Sequence, residues 1–558
     1  MQQTGVPGHK SQPMDELLSE GFASHVNDLL RTWHVPGLSI AVFNKQSTRT
    51  AAFGHARLDH PVPATLDTVY DMASTSKSFT AAAIGKLVAD DDHHPNVAWT
   101  AKMSVLLPDD FVLPDAYATQ HTTVEDILSH LTGMPGHDLS YMSIRAAQPD
   151  TAQSVTQSLR HLPMNAPLRT AYQYNNMMYT VATHLVETLT EQSFASFLHK
   201  NFFRPLGMTS TFLQPSAVYA TGEAYSSRLA HRHVWKPATQ SYLTLPIPVE
   251  QPEGQGAGSI QSSVVDFAKW GQALLRRDTN ILPEKIYDDL FTPRIILDPE
   301  STVDEREPFT SYELYCLGLS VRFYRGHRII EHDGSITGVQ SLLCFLPEDD
   351  FGMVICGNGD NAAIIAHILA MQLFDDVLSI PEPGRVDWGR RAVEVTERGA
   401  REAAEEGAES KGDADARYNA TDWPLSAFTG MFVHPGYKTI IIDIVPSSRK
   451  SSDEGDQEQE KLHIDALDRS EPFEAFFEGL RDVRDDEEAE KWEVEKGNAV
   501  ICTADIVDDG GEVLSVWAVF DFRGKGISEG EGERARRVGI ALCVSKGNML
   551  IWFDRGKR

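Results

Sequence analysis

Two strand-type stretches, far apart in the chain, bracket a helical segment, and this order constrains the fold more than any other feature. The first, GLSIAVFNKQSTRTAAFGHARLD at 37–59, reads as a two-stranded hairpin with a polar turn at Asn44–Ser47. The second is the pair LGLSVRFYRGHRIIEHDG (317–334) and VQSLLCFLPEDDFGMVICGN (339–358). Helical periodicity precedes the first over 14–33 and follows the second over 361–378. Between them lie DMASTSKSFTAAAIGKLVADD (71–91), TTVEDILSHLTGMPGHD (122–138), YNNMMYTVATHLVETLT (174–190) and SVVDFAKWGQALL (263–275), all read as helical. Strand, helices, strands, helix predicts an α/β unit whose sheet joins both ends of the segment around a helical insertion.

The remainder divides in the same way. Residues 1–12 read as a loose tail, so the α/β unit is placed at 13–380. PEPG at 381–384 breaks the pattern, and 381–420, rich in Ala, Glu and Arg, reads as an acidic linker or solvated helix. From 421 to 558 short β-type runs recur (FTGMFVHPGYKTIIIDIV, VLSVWAVFDF, RRVGIALCVS), which predicts an all-β, closed or nearly closed antiparallel barrel. Acidic insertions at 452–461 and 484–492 and a Gly/Glu-rich one at 524–537 read as solvated loops. With 558 residues, two domains are expected.

A formal net charge of −30 repels a phosphate backbone, so neither nucleic acid nor an anionic membrane surface is an expected partner. Five scattered cysteines without a CxxC pair read as reduced core thiols, and the first residues carry no apolar leader. A cytoplasmic location is the expectation, and NAT at Asn419 is read as a chance sequon. A homo-oligomer is left open.

Candidate chemistry begins at Ser74 and Lys77. On a helix, residues i and i+3 share a face, and a serine in the first turn lies in the positive end of the dipole. An amine there can ease alkoxide formation or accept the hydroxyl proton. A serine cap followed by a surface lysine is the plain alternative. About 100 residues on, Tyr174 and Asn176 stand at another helix start. A phenol can relay a proton and an amide can orient a lysine or a substrate carbonyl, although an asparagine cap beside an aromatic explains the same letters. Third, His332, Asp333 and Gly334 close one strand run before the next begins near Val339; glycine admits a substrate to a sheet edge, or merely turns the chain.

SxxK, then YxN, then HxG, in that order and on those elements, resembles the serine β-lactamase and penicillin-binding-protein superfamily, in particular the branch of class C β-lactamases, D-amino-acid peptidases and related esterases. The resemblance spans roughly 15–380 and includes VEDILSHLTGMPG (124–136), FLHKNFFRPLGMTST (197–211) and GAGSIQSSVVDFAKWGQALL (256–275). It implies a β-lactamase/transpeptidase-like domain, an antiparallel sheet plus a helical subdomain, needing no cofactor. Ser74 would be the acylated nucleophile, Lys77 its deprotonating partner and Tyr174 the proton shuttle. Asn176 would hold Lys77 and the substrate amide, and His332 and Gly334 would border the substrate. The N–H groups of Ser74 and Ser335 would form the oxyanion hole. β-Lactamases usually carry lysine where this chain has His332. A mostly neutral histidine moves the expectation from β-lactams to an ester, amide or peptide. The 421–558 segment resembles the lipocalin-like barrel that follows some of these peptidases, chiefly through FTGMFVHPGY.

DDDHHPN (90–96) gathers metal-type side chains but reads as a turn, and GSITG (334–338) is not the GxSxG elbow. His130 and His137 read as structural. The expected function is a serine hydrolase. An acyltransferase sharing the first half-reaction is the alternative, and a non-catalytic binding protein on the same fold the third.

Overall fold

The computed structural model describes Met14 and residues 19–245, 250–302, 305–415, 423–446, 460–470, 472–483, 499–508, 513–522, 534–542 and 549–556. The tail at 1–12, Asn419, Cys543, the 484–492 insertion and most of 452–461 and 524–537 lie outside these residues.

Nine antiparallel strands form the central sheet. Its spatial order is Val62–Pro63, Thr48–Arg57, Gly37–Phe43, Phe351–Gly357, Val339–Leu346, His327–Ile336, Ser320–Tyr324, Leu314–Tyr315 and Ile295–Ile296. The N-terminal hairpin is therefore annealed to the C-terminal strands, with Leu38 opposite Gly357 and Phe43 opposite Gly352. Gly37–Phe43 is buried throughout, which explains an apolar run that only Ser39 interrupts. Alternate residues serve opposite cores. Leu38, Ile40 and Val42 pack with the helices Glu20–Thr32 and Ala362–Val377 on one face. Ala41 and Phe43 pack on the other face with Phe79 and Trp270, from the helices Lys77–Val88 and Val264–Arg276. No described helix is long and apolar enough to cross a membrane.

Two local readings change. The 122–138 helix is confined to Val124–Leu128, opened by a Thr123/Asp126 capping box. After it the chain enters the left-handed region at His130 and Gly133 and passes Pro135, so the apolar spacing there belongs to a packed loop. Gly334 does not end its strand, which runs from His327 to Ile336. Its pairing with Ser320–Tyr324 reaches only Glu331, while pairing with Val339–Leu346 continues to Ile336. Residues 332–336 thus form a local edge inside a wide sheet.

Trp388–Asp415 is a single helix. Beyond it, eight strands from Gly430–His434 to Ile551–Arg555 follow one another up and down and close by pairing first to last. Phe432, Ile442, Leu462, Phe477, Phe520 and Phe553 are among its buried residues. Residues 468–470 of the barrel dock on the α/β unit. Ser143 N–H donates to the Asp468 carbonyl (3.0 Å), and Ser470 N–H to the Tyr141 carbonyl (3.0 Å). Cys316, Cys344, Cys356 and Cys502 are buried thiols.

Candidate active site

Ser74 lies in a short 3-10 turn, Ala73–Ser76, that runs directly into the Lys77–Val88 helix. The turn is held from outside. Ala73 adopts φ 42°, an uncommon conformation for alanine, worth roughly 1–3 kcal/mol of strain. Its N–H donates to the Asp71 carboxyl at 2.8 Å, and Gln261 donates to the other Asp71 oxygen at 2.7 Å. The Met72 carbonyl accepts from Ser341 Oγ at 2.7 Å, on the strand opposite Gly334. A Cβ on Gly334 would collide with that carbonyl and with Ser341 Oγ, and would lie 3.1 Å from the Ser74 nitrogen. Glycine there lets the strand edge approach the Ser74 N–H, and a close backbone approach requires it.

Lys77, Tyr174 and Asn176 converge on Ser74. Lys77 Nζ lies 2.9 Å from Ser74 Oγ, 2.7 Å from Asn176 Oδ1 and 2.8 Å from the Ala257 carbonyl. The Tyr174 hydroxyl donates to Ser74 Oγ at 2.8 Å. Asn175, not Asn176, caps the Asn176–Thr190 helix: its side chain accepts from Met178 N–H and donates to the carbonyls of Met134 and Pro135. Capping by Asn175 leaves Asn176 free to reach Lys77. Lys77 is completely buried and Ser74 half-buried, so the nucleophile is reachable while the amine is desolvated.

Burial sets the protonation states. It lowers the Lys77 amine to about 7, against the opposing pull of Asp138 and Asp333. It raises the Tyr174 phenol well above its ordinary value, with the Ser74 hydrogen bond opposing. Near neutral pH a large share of Lys77 is an uncharged base, and Tyr174 is a proton donor. Burial also lowers His332 to about 4, Asp333 opposing. His332 is only 5% exposed; its Nδ1–H donates to the Asp333 carbonyl and its Nε2 accepts from Tyr315 at 2.9 Å. The ring is thus neutral and turned toward Tyr315, while the Asp333 side chain beside it is 80% exposed.

Two clefts flank the serine. A small one of about 140 Å³ is bounded by Ser74, Asn176, Asp138, Glu253 and Ser335, with Ser470 from the barrel. A larger one of about 510 Å³ starts at Tyr174, His332 and Asp333. Asp298, Glu305, Glu307, Glu313 and Glu331 also line it, against Arg306 and Arg322. Arg322 is already paired with Glu307 at 2.6 Å and with Glu331.

Three contributors escaped the sequence reading. Asp71 holds the turn, Asp138 supports Asn176, and the Ala257 carbonyl receives Lys77. Only Asp71 left a trace, as an Asp two residues before the amide it accepts from. His137, read as structural, joins the domains: its Nε2–H donates to the Pro163 carbonyl at 2.9 Å, so Nδ1 accepts from Tyr437 of the barrel at 2.7 Å.

Comparisons with known proteins bear on the family and the fold. The sequence profile of the Beta-lactamase family matches residues 22–372. An unguisins hydrolase of Aspergillus violaceofuscus is 36% identical over 447 residues, 77% of each chain. Another, of Aspergillus campestris, is 31% identical over 470 residues, 84% of each chain. Among solved structures, the octameric penicillin-binding protein homologue from Pyrococcus abyssi aligns with a TM-score of 0.57 over 97% of this chain and 100% of its own, at 17% identity. The D-amino acid amidase of Ochrobactrum anthropi SV3 aligns with a TM-score of 0.50 over 64% of this chain and 96% of its own, at 22% identity. At those identities the two structures speak for the fold alone.

Proposed function

The chain belongs to the Beta-lactamase family and is a serine hydrolase; from that premise we propose that Ser74 forms an acyl-enzyme with an amide or ester substrate that carries no carboxylate near Asp333. The observation that supports it is the double contact on Ser74 Oγ, from Lys77 Nζ at 2.9 Å and Tyr174 OH at 2.8 Å. In its neutral form Lys77 accepts the Ser74 proton as Oγ attacks the carbonyl carbon. The N–H groups of Ser74 and Ser335 receive the oxyanion. The C–N or C–O bond then breaks, and the leaving amine or alcohol takes a proton delivered through Tyr174. Water repeats the sequence in reverse, its proton passing to the same pair and its hydroxide to the acyl carbon, which restores Ser74. Asn176 keeps Lys77 in line. His332 acts by fixing its strand rather than by charge.

The substrate class follows from charge. A neutral His332, an exposed Asp333 and a carboxylate-lined cleft repel an anion where a β-lactam would place its carboxylate. The unguisins named for the two Aspergillus relatives are one set of compounds to test. The same proposal assigns catalysis to 13–380, a linker to 381–420 and a lipocalin-like barrel to 421–558.

Intact-mass detection of a fluorophosphonate adduct, in the wild type and in Ser74→Ala, tests the nucleophile. Labelling of both proteins alike rejects it. A panel of p-nitrophenyl esters, D- and L-aminoacyl amides and nitrocefin tests the class; preferential turnover of nitrocefin contradicts the charge argument. Partition of the acyl group between water and an added amine separates hydrolysis from acyl transfer.

A further inference from the structure

Tyr174 is gripped from behind by a histidine that takes no part in the chemistry above. His130 is fully buried and sits at φ 60°, in the loop that follows the Val124–Leu128 helix. Its backbone carbonyl accepts Gln173 N–H at 3.0 Å. Its ring Nδ1 accepts Asn175 N–H at 3.1 Å. One residue therefore holds the chain on both sides of Tyr174, as a strand partner would. Its ring also lies against the phenol ring, with centroids 4.4 Å apart and a tilt of 38°. Tyr315, Tyr179 and Tyr172 complete the cage, at 4.7, 5.4 and 5.5 Å.

Because Nδ1 accepts, the proton of the neutral ring is on Nε2. That nitrogen is buried without a hydrogen-bond partner. An unpaired buried donor costs about 1–3 kcal/mol, and aromatic faces offset part of it as weak acceptors. Burial keeps the imidazole well below its ordinary pKa, so the grip does not change with protonation. Support of a loop alone would call for neither the ring contact nor the two bonds that bracket Tyr174.

We infer that His130 is the positioning residue for Tyr174, placing the phenol oxygen within reach of Ser74 by a two-point hold on residues 173 and 175 and by ring contact. The inference rests on the proposed role of Tyr174 as proton relay. A displacement of about 1 Å would take the 2.8 Å bond out of range, and errors of that size cost on the order of a hundredfold in rate.

The test is a double-mutant cycle read by the rate at which a fluorophosphonate modifies Ser74 in the full-length protein, followed by intact mass. His130→Gly keeps the left-handed backbone and removes ring and acceptor. His130→Asn tolerates the same backbone and returns an oxygen near the Nδ1 position. Thermal unfolding confirms that each variant is folded. His130→Gly is expected to slow labelling 10- to 100-fold, and His130→Asn to recover most of the loss. In a Tyr174→Phe background, His130→Gly is expected to slow labelling less than threefold further. Wild-type labelling by His130→Gly, or the same slowing in both backgrounds, overturns the positioning role and leaves a packing residue. Should His130→Gly not fold, His130→Asn carries the cycle: a three- to tenfold slowing that vanishes without the Tyr174 hydroxyl supports the role, and a slowing that persists overturns it. A folded wild type that takes no label at all overturns the proposed nucleophile, and the positioning role falls with it.

Discussion

Replacing Lys77 by methionine is expected to reverse its effect on stability as pH rises. The amine titrates at about 7 in the folded protein and at 10.5 when exposed. Between those values the unfolded chain holds a proton that the folded protein does not. Wild-type stability therefore rises with pH through that window, by about 1.4 kcal/mol per unit, and the methionine variant lacks this term. At pH 7 burying the amine costs about 5 kcal/mol; near pH 10.5 it costs nothing. Methionine also removes the hydrogen bonds to Ser74, Asn176 and the Ala257 carbonyl, together worth about 3 kcal/mol. The variant should thus be the more stable protein by about 2 kcal/mol at pH 7 and the less stable by about 1 kcal/mol at pH 9, crossing near pH 8. Urea unfolding followed by tryptophan fluorescence at pH 6.5, 7.5, 8.5 and 9.5 gives the difference directly. Titrations common to both proteins cancel. Turnover should be lost at every pH. A difference that stays constant between pH 7 and 9 would refute a depressed amine and, with it, Lys77 as the neutral base.

Three further outcomes are expected. For a p-nitrophenyl ester, kcat/KM should rise through an apparent pKa near 7 as Lys77 loses its proton, with no fall below pH 10 because Tyr174 stays protonated; a limb near 4 would instead implicate His332. Gly334→Ala should fold at a cost of about 1–3 kcal/mol from overpacking and lose at least a hundredfold in kcat, because the new methyl displaces the turn that carries the Ser74 N–H. Activity within threefold of wild type would show that the strand edge plays no such part. Ser470→Ala removes the hydroxyl that donates to Glu253, whose carboxyl burial holds at about 7. Its penalty, roughly 1–3 kcal/mol, should grow from pH 5, where Glu253 is protonated, to pH 8, where the charge is left without that donor; thermal unfolding at the two pH values decides, and a smaller loss at pH 8 contradicts the assignment.

The parts of the site that a sequence shows are those set by local geometry. Ser74 and Lys77 are one helical step apart, so their shared face follows from the helix alone. Tyr174 and Asn176 stand at a helix start where Asn175 supplies the cap, a pattern visible in three consecutive letters. The sheet that joins both ends was legible in the order strand, helices, strands, helix; the apolar run of Gly37–Phe43, interrupted only by Ser39, fits the strand buried on both faces that the structure shows. What stayed hidden depends on distant segments meeting. His130 sits in a stretch whose apolar spacing imitates a helix, and only the fold reveals the left-handed turn that aims it at Tyr174. Asp138 and Glu253 are acidic residues in short 3-10 turns, and nothing in their neighbours announces that they are enclosed beside Ser74. Gly334 reads from the sequence as a residue that admits a substrate to a sheet edge or turns the chain; that it also lets the strand approach the Ser74 turn depends on a distant segment and leaves no local mark.

The pairing of Leu38 with Gly357 also bears on how the molecule is made. A ribosome releases the N-terminal hairpin first, and its partner strand 319 residues later, as 357 minus 38 gives. At about 5–20 residues per second that interval is roughly 15–60 s. Throughout it, the apolar strand Gly37–Phe43 has one row of peptide groups with no native neighbour. Nascent chains should be most prone to aggregation, and most dependent on chaperones, in that interval; the risk ends when Phe351–Gly357 emerges and seals the sheet.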